Sequence, residues 1–290
     1  MNRILFPPPH HSWRWPARPP RRRWRRVARF AVPLIAIALA LLAVAVLSGL
    51  ASAAVPGAAS RQASAAPGDT TRQAAAQGDS ASVKGLPVVE VTSAEAGEPM
   101  AVLLSGDGGW VAADREMAAA LAAHGIPVAG LDARAYLERA RTPDETSRAL
   151  AHILRHYLAA WGRARAVVIG YSRGADLAPF MISRLPEDLR RRVVLLALLG
   201  PSTWAGFQFH LVDLVATVHH RGDLPVEPEI EKLRGLPMLC IYGLDDGGAL
   251  CPSLDPTLVR RISRDGGHRV KGREGAELAD VIISGIPHDR

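Results

Sequence analysis

The sequence predicts an α/β fold: a mostly parallel sheet with helices on both faces, preceded by an N-terminal signal or transmembrane segment. Three observations carry that expectation. From about residue 85 onward, short and uniformly apolar runs alternate with amphipathic stretches of helical length. Strands that are apolar on both sides belong to parallel sheets covered on both faces. The 290 residues are 48% hydrophobic and 22% charged, enough for one domain of about 200 residues plus extensions. Finally, residues 30–54 run without a charge and directly follow a cluster of arginines.

Residues 1–29 read as a basic cytoplasmic leader, holding 9 of the chain's 35 basic side chains and no acid. The first acid anywhere is Asp69. The formal net charge of +7 is therefore misleading, because the remaining 26 basic and 28 acidic groups leave residues 30–290 at −2. The basic residues are not spread over a folded face, so no nucleic-acid partner is expected. Residues 30–54 are the signal or transmembrane segment. Its strictly apolar part, Phe30 to Leu47, has 18 residues, on the border between a signal-peptide core and a spanning helix. Positive flanks stay cytoplasmic, so everything after the segment is expected to be exported to the periplasm. Ala51-Ser52-Ala53 offers an A-x-A cleavage site, and both a cleaved signal and a retained inner-membrane anchor stay open. A twin-arginine signal at Arg25-Arg26 fits badly. Residues 55–83 are rich in Ala, Gly, Ser and Gln. Such a segment cannot bury enough surface to offset its chain entropy and reads as a flexible tether. The globular domain is expected over 84–290.

Within that domain the elements follow in order. Val88–Val91 is an edge strand. AVLL at 101–104 is an apolar strand ending in Ser-Gly-Asp-Gly-Gly-Trp. Residues 112–124 carry Ala and Leu at helical spacing, and Ile126–Leu131 is a strand. Thr142-Pro143-Asp144-Glu145 is a helix start: a capping residue, Pro in the first turn and acids at the positive end. That helix runs to about Trp161. AVVI at 166–169 is a strand, 173–185 a helix, VVLLALL at 193–199 a strand and MLCIY at 238–242 another. The stretch 201–236, with Trp204, Phe207, Phe209, His210, His219 and His220, breaks the alternation and reads as an insertion over the sheet. Residues 253–264 and 274–284 are expected to be closing helices. Cys240 and Cys251 are the only cysteines. In an exported domain an even count favours a disulfide, with an expected contribution of about 2–3 kcal/mol.

Gly170-Tyr171-Ser172-Arg173-Gly174 fits G-x-S-x-G between a strand and a helix. That context is the nucleophile elbow of α/β-hydrolases, which lifts a Ser hydroxyl above the sheet. A Ser hydroxyl is a weak nucleophile and needs a base, itself oriented by an acid. In this fold the order is Ser, acid, His. His268, after Gly266-Gly267 and before the last helix, sits where the base belongs. His124, His152 and His156 precede the Ser; His210, His219 and His220 precede the acid; His10, His11 and His288 lie at the ends. The acid belongs just past MLCIY, where Asp245 and Asp246 are adjacent and the Gly-x-x-Asp register favours Asp246. Two solvated turn carboxylates are the alternative. A bridge from Cys240 to Cys251 would span this loop. An oxyanion hole is also required. One donor is expected from the backbone N–H of Arg173, the other from Asp107 or Gly108 in the Gly-rich loop 106–110. No phosphate-binding G-x-x-x-x-G-K-[ST] is present, and no metal or cofactor is expected.

GDGGW at 106–110, Arg141-Thr142-Pro143, IGYSRGAD at 169–176, CIYG at 240–243 with Cys251-Pro252, and GGH at 266–268 together resemble the bacterial virulence protein family of VirJ and AcvB. The resemblance covers roughly 95–288 and is to the single-domain form, without the additional upstream domain of AcvB-type chains. It implies a periplasmic serine hydrolase, hydrolysis of aminoacylated phosphatidylglycerol, and association with virulence and type IV secretion. By position it implies Ser172 as nucleophile, His268 as base and Asp245 or Asp246 as acid. Two positions depart from the family: Arg173 stands where Phe is usual, and Arg269-Val270-Lys271-Gly272 after the His is more basic. Arg173, Arg269 and Lys271 are open to two roles, facing a lipid phosphate or being simply solvated. The expected partners are an aminoacylated lipid or other ester and the inner-membrane surface. Two rival readings stand beside this one. The first is a carboxylesterase or thioesterase acting on another acyl group. The second is a non-catalytic envelope factor on a hydrolase scaffold.

Overall fold

The computed structural model describes residues 83, 85–95, 97–214, 219–271 and 273–287. The expected leader, apolar segment and tether lie outside these residues, apart from Val83, and so do His10, His11 and His288. Val83 itself is buried against one face of the sheet. Among the described residues no helix is long and apolar enough to cross a membrane.

Seven strands form the main sheet: β1 (Val88–Val91), β2 (Met100–Leu104), β3 (Val128–Leu131), β4 (Ala166–Tyr171), β5 (Val193–Leu199), β8 (Met238–Gly243) and β9 (Arg260–Arg264). Their spatial order is β1-β3-β2-β4-β5-β8-β9. Only the edge strand β1 is antiparallel to its neighbour; every other pairing is parallel. Parallel neighbours need long crossovers, which helices supply. These are α1 (Ala112–Ala123), α2 (Ala133–Tyr136), α3 (Pro143–Ala160), α4 (Arg173–Ser183) and α5 (Glu187–Arg190). The chain steps from β2 outward to β3, then returns across β2 to β4. The loops after β2 and β4 therefore leave the sheet side by side and in opposite directions. In open α/β sheets such a switch point at the carboxyl ends of the strands is where ligands bind.

The uniformly apolar strands serve two cores. Met100, Val102 and Leu104 of β2 face α3 and α4, while Ala101 and Leu103 face α1 and the last helix, α7 (Glu274–Ser284). β8 divides likewise, with Met238 and Cys240 on one side and Leu239 and Ile241 on the other. Helix α3 begins where the capping pattern places it. Thr142 Oγ1 accepts from the Glu145 N–H at 3.2 Å and Glu145 Oε2 accepts from the Thr142 N–H at 2.7 Å. Two orphan donors are satisfied by this reciprocal capping box. The buried face of α3 carries Leu150, Ile153, Leu154, Tyr157 and Leu158. The together-packed topology, two-sided core and strand-to-helix elbow make this an α/β-hydrolase-like fold.

The insertion 201–236 contains a two-stranded hairpin, β6 (Trp204–Ala205) and β7 (Leu224–Pro225), a 3-10 turn at Leu211–Leu214 and a short helix, α6 (Glu227–Glu231). It is pinned to the α3 side of the sheet. Phe207 packs edge-on against Phe180 at 5.2 Å, and the Arg141 N–H donates to the Phe207 carbonyl at 2.8 Å.

Residues 253–264 are not the expected closing helix. They follow a 3-10 turn at Cys251–Ser253 and end in β9, paired with β8 from Leu239↔Arg260 to Gly243↔Arg264. Pro256 removes a donor that a helix over 253–264 would need. Pairing instead satisfies the outer edge of β8. As an edge strand, β9 carries exposed Arg260 and Arg261, with Ile262 turned to the core. The helix expected at 274–284 is α7.

Cys240 and Cys251 form the disulfide, with Cα atoms 5.5 Å apart and a sequence separation of 11. It closes the loop between β8 and the 3-10 turn. Replacing both cysteines with Ser is expected to lower stability by about 3 kcal/mol by the chain-entropy relation. Urea denaturation under non-reducing conditions checks this, and dithiothreitol should bring the wild type down to the variant.

Candidate active site

Ser172 occupies the turn between β4 and α4. Its φ is +53°, the only positive value at a non-glycine among the described residues. Such a conformation costs on the order of 1–3 kcal/mol and persists only where its surroundings enforce it. Here the Ser172 N–H donates to the Leu199 carbonyl at 2.8 Å, and the Ser172 carbonyl accepts from the Ala175 and Asp176 N–H groups at 2.8 and 3.1 Å. The helix must also pass close to β2. A Cβ at Gly174 would run into the Leu104 carbonyl, so the second glycine of the motif is a packing requirement.

The loop after β9 brings His268 to this serine. His268 Nε2 lies 2.8 Å from Ser172 Oγ, and Nδ1 lies 2.8 Å from Asp246 Oδ2. The two adjacent acids are thereby separated. Asp246 is largely buried and also accepts from the Gly248 N–H at 3.2 Å. Asp245 is exposed and holds the loop through its backbone N–H to the Gly266 carbonyl at 2.9 Å. The disulfide brackets the segment that carries Asp246.

Two residues not singled out from the sequence hold the His268 loop. Nη2 of Arg264 donates to the carbonyls of Gly267, His268 and Arg269 at 2.6, 3.2 and 3.1 Å. Tyr171 stacks beside the His268 ring at 6.2 Å, and its hydroxyl accepts from the Val270 N–H at 3.1 Å. Burial raises the Tyr171 phenol above its usual range. Arg264 lies in the segment expected to be helical, which hid its role. Arg264→Met should lower kcat about tenfold with KM little changed, since misplacing a catalytic group costs turnover more than binding. Steady-state kinetics on an activated ester checks this; an unchanged kcat would show that the loop holds itself.

The loop after β2 lies against Ser172. A Cβ at Gly106 would come within 3.0 Å of Ser172 Cβ. The loop closes on itself through the Gly109 N–H to the Gly106 carbonyl at 3.0 Å, leaving the N–H groups of Asp107 and Gly108 as the centre of the turn. The buried Ser105 hydroxyl accepts from the Ala133 N–H at 3.0 Å and fixes the loop's base. Arg173 opens α4, and the first N–H of a helix has no intrahelical acceptor. Candidate donors therefore flank Ser172 on two sides.

The Arg173 side chain is not simply solvated; two carboxylates hold it. It is 9% exposed, with Nε 3.0 Å from Asp107 Oδ1 and Nη2 3.0 Å from Asp213 Oδ2. Arg269 and Lys271 are exposed, which leaves both of their roles open.

Below the elbow, burial pushes the Asp176 carboxyl up to about 7, against hydrogen bonds from the Ser202 N–H at 2.7 Å and Ser202 Oγ at 3.0 Å and the nearby charge of Arg173. Between pH 4 and 7 the folded protein keeps a proton here that the unfolded chain has released. This group's contribution to stability therefore falls as pH rises. Asp176→Asn should gain on the wild type across that window, by at most about 4 kcal/mol. Denaturation midpoints of both proteins at pH 4.5, 6 and 7.5 check the sign.

A cavity of about 440 Å³ lies between α3 and Arg184–Pro186, lined by Arg148, His152 and Arg155 among others. None of the residues around Ser172 lines it. The depression beside His268 holds only about 10 Å³. Chemistry, not volume, marks the site, which is open at the surface. Among the described residues no group of three or more His, Cys, Asp or Glu is arranged to hold a metal ion.

No curated protein matches the chain. Among solved structures it is similar to Est1E from Butyrivibrio proteoclasticus, at 12% identity and a TM-score of 0.48 over 68% of this chain and 92% of that one. It is also similar to a thioesterase domain from the curacin biosynthetic pathway, at 16% identity and a TM-score of 0.46 over 68% and 94%. A proline iminopeptidase of Mycobacterium smegmatis gives 16% identity and a TM-score of 0.45 over 68% and 94%. Residues 98–289 match the family described as bacterial virulence protein (VirJ). The match runs from the approach to β2 past the end of α7 and takes in the elbow, the disulfide and the His268 loop, so the chain belongs to the VirJ family of bacterial virulence proteins.

Proposed function

We propose that the protein is an exported serine hydrolase that cleaves an ester through an acyl-enzyme, with aminoacyl-phosphatidylglycerol, lysyl or alanyl, as its substrate. The observation that carries the hydrolase reading is the relay Ser172–His268–Asp246, with both contacts at 2.8 Å. The lipid reading is supported by the family resemblance and by the uncharged segment at 30–54, which would hold the domain near a membrane substrate and raise its effective concentration.

In this mechanism Ser172 Oγ attacks the carbonyl that joins the amino acid to the lipid's glycerol oxygen. His268 Nε2 takes the Ser172 proton as the new C–O bond forms. Asp246 fixes the His268 tautomer through Nδ1 and stabilises the imidazolium. The negative oxygen of the tetrahedral intermediate is held by the Arg173 N–H and by that of Asp107 or Gly108. Collapse breaks the ester bond, and His268 returns the proton to the departing phosphatidylglycerol. Water, deprotonated by His268, then attacks the aminoacyl-Ser172 ester. The products are the free amino acid and restored Ser172. No step requires a metal.

The full chain, incubated with mixed micelles of lysyl- or alanyl-phosphatidylglycerol, should release amino acid and phosphatidylglycerol without releasing fatty acid. Ser172→Ala should release neither. Turnover of a simple activated ester without any lipid cleavage would keep the hydrolase and favour a carboxylesterase or thioesterase substrate. Silence on both, from folded protein, would favour the scaffold reading.

A further inference from the structure

We infer that the Arg173 guanidinium is a positioning residue: it ties the oxyanion loop and the insertion 201–236 to the nucleophile's own turn. The inference rests on the hydrolase reading above. Three contacts motivate it. Arg173 follows Ser172 directly, so its backbone moves with the nucleophile. Its Nε is bonded at 3.0 Å to the carboxylate of Asp107, whose loop lies against Ser172 and supplies the second candidate oxyanion donor. Its Nη2 is bonded at 3.0 Å to Asp213, in the 3-10 turn of the insertion. One side chain thus spans three segments that are far apart in sequence.

The insertion is arranged to receive it. Asp213 is 2% exposed, and its second oxygen lies 2.8 Å from His220 Nε2. The His220 N–H donates at 2.7 Å to Asp223, and the His220 ring packs on that of His210 at 4.1 Å. Gly206 lies where the hairpin backbone meets the guanidinium: a Cβ there would come 2.7 Å from Arg173 Nη1 and 3.0 Å from Asp223 Oδ1. The planar fork of Arg can serve two carboxylates at once, whereas a Lys ammonium is a single point charge. The buried charge is matched by acids on both sides, so its position is fixed rather than free. Burial opposes ionisation of Arg173, but Asp107 and its neighbours outweigh that and hold it fully protonated. Oxyanion donors act only when pre-aimed. The guanidinium would therefore affect turnover without touching the substrate.

The test is a double-mutant cycle in the full chain. Arg173→Met, Asp107→Asn, the double variant and Arg173→Lys are assayed on p-nitrophenyl acetate. Active sites are titrated with a fluorophosphonate, so that kcat is expressed per competent site and misfolded protein does not count. Each single variant should lower kcat about ten- to hundredfold with KM within about threefold. The double variant should be no worse than Arg173→Met, and Arg173→Lys should recover part of the loss. A kcat within twofold of wild type in Arg173→Met, or losses that multiply in the double variant, would overturn the inference. If Arg173→Met does not fold, Asp107→Asn decides: a fall in kcat at constant KM supports the inference and an unchanged kcat overturns it. Wild-type protein inert to both ester and fluorophosphonate would sink the hydrolase reading and this inference with it. Active wild type beside unaffected variants would remove the inference alone.

Discussion

Ser172→Ala is expected to lower ester turnover by about a millionfold, and His268→Ala by a similar amount. The reason is geometric. Ser172 Oγ and His268 Nε2 are 2.8 Å apart, and in the proposed mechanism they act as one unit, so removing either leaves the other without a task. The double variant should consequently be no slower than either single one. What remains would be the work of the oxyanion donors and substrate binding, which still exceed the reaction in water. Steady-state rates on p-nitrophenyl acetate, with active-site titration to exclude contaminating esterase, measure this. Independent, multiplying losses would mean that the two residues do not act together. Neither change should cost much stability, because Ser172 is part-buried and His268 is exposed.

The second large effect separates two neighbouring acids. Asp246→Asn should lower kcat by about 10³–10⁴-fold, since an amide cannot hold the imidazole in the required tautomer or stabilise its charge. Asp245→Asn should stay within about threefold of wild type. Asp246 reaches His268 Nδ1 with its side chain, whereas Asp245 meets Gly266 with its backbone N–H, which the substitution keeps. KM should change little in both variants, because neither carboxylate faces the substrate in the proposed mechanism. Equal losses would place both acids in the relay; a loss in Asp245→Asn alone would reverse the assignment.

Much of the site was legible because its chemistry is local. Gly170 to Gly174 announces a turn between an apolar run and a helix, and Thr142 to Glu145 writes its own helix start. His268 could be reached by elimination, since chain order excluded the other histidines. Asp245 and Asp246 could not be separated with certainty, because neighbouring residues share a loop and only the register of the turn decides which one points inward. β9 was hidden for a different reason. An edge strand is held by pairing with β8 rather than by burial, so Arg260–Arg264 shows too little apolar alternation to distinguish it from an amphipathic helix. The same polar strand carries Arg264, whose role shows only once β9 is paired with β8. His220 precedes the acid in the chain, and nothing in the sequence marks Asp213. Chain order excludes His220 from the relay, yet tertiary contact brings Asp213 to Arg173, forty residues upstream, and His220 to Asp213.

The most direct measurement treats the full chain with a fluorophosphonate and locates the adduct by peptide mass spectrometry. The account predicts one adduct per molecule, on Ser172, and slow or absent labelling in His268→Ala. An adduct on another residue, or none on folded wild-type protein, would contradict the claim that Ser172 is an activated nucleophile.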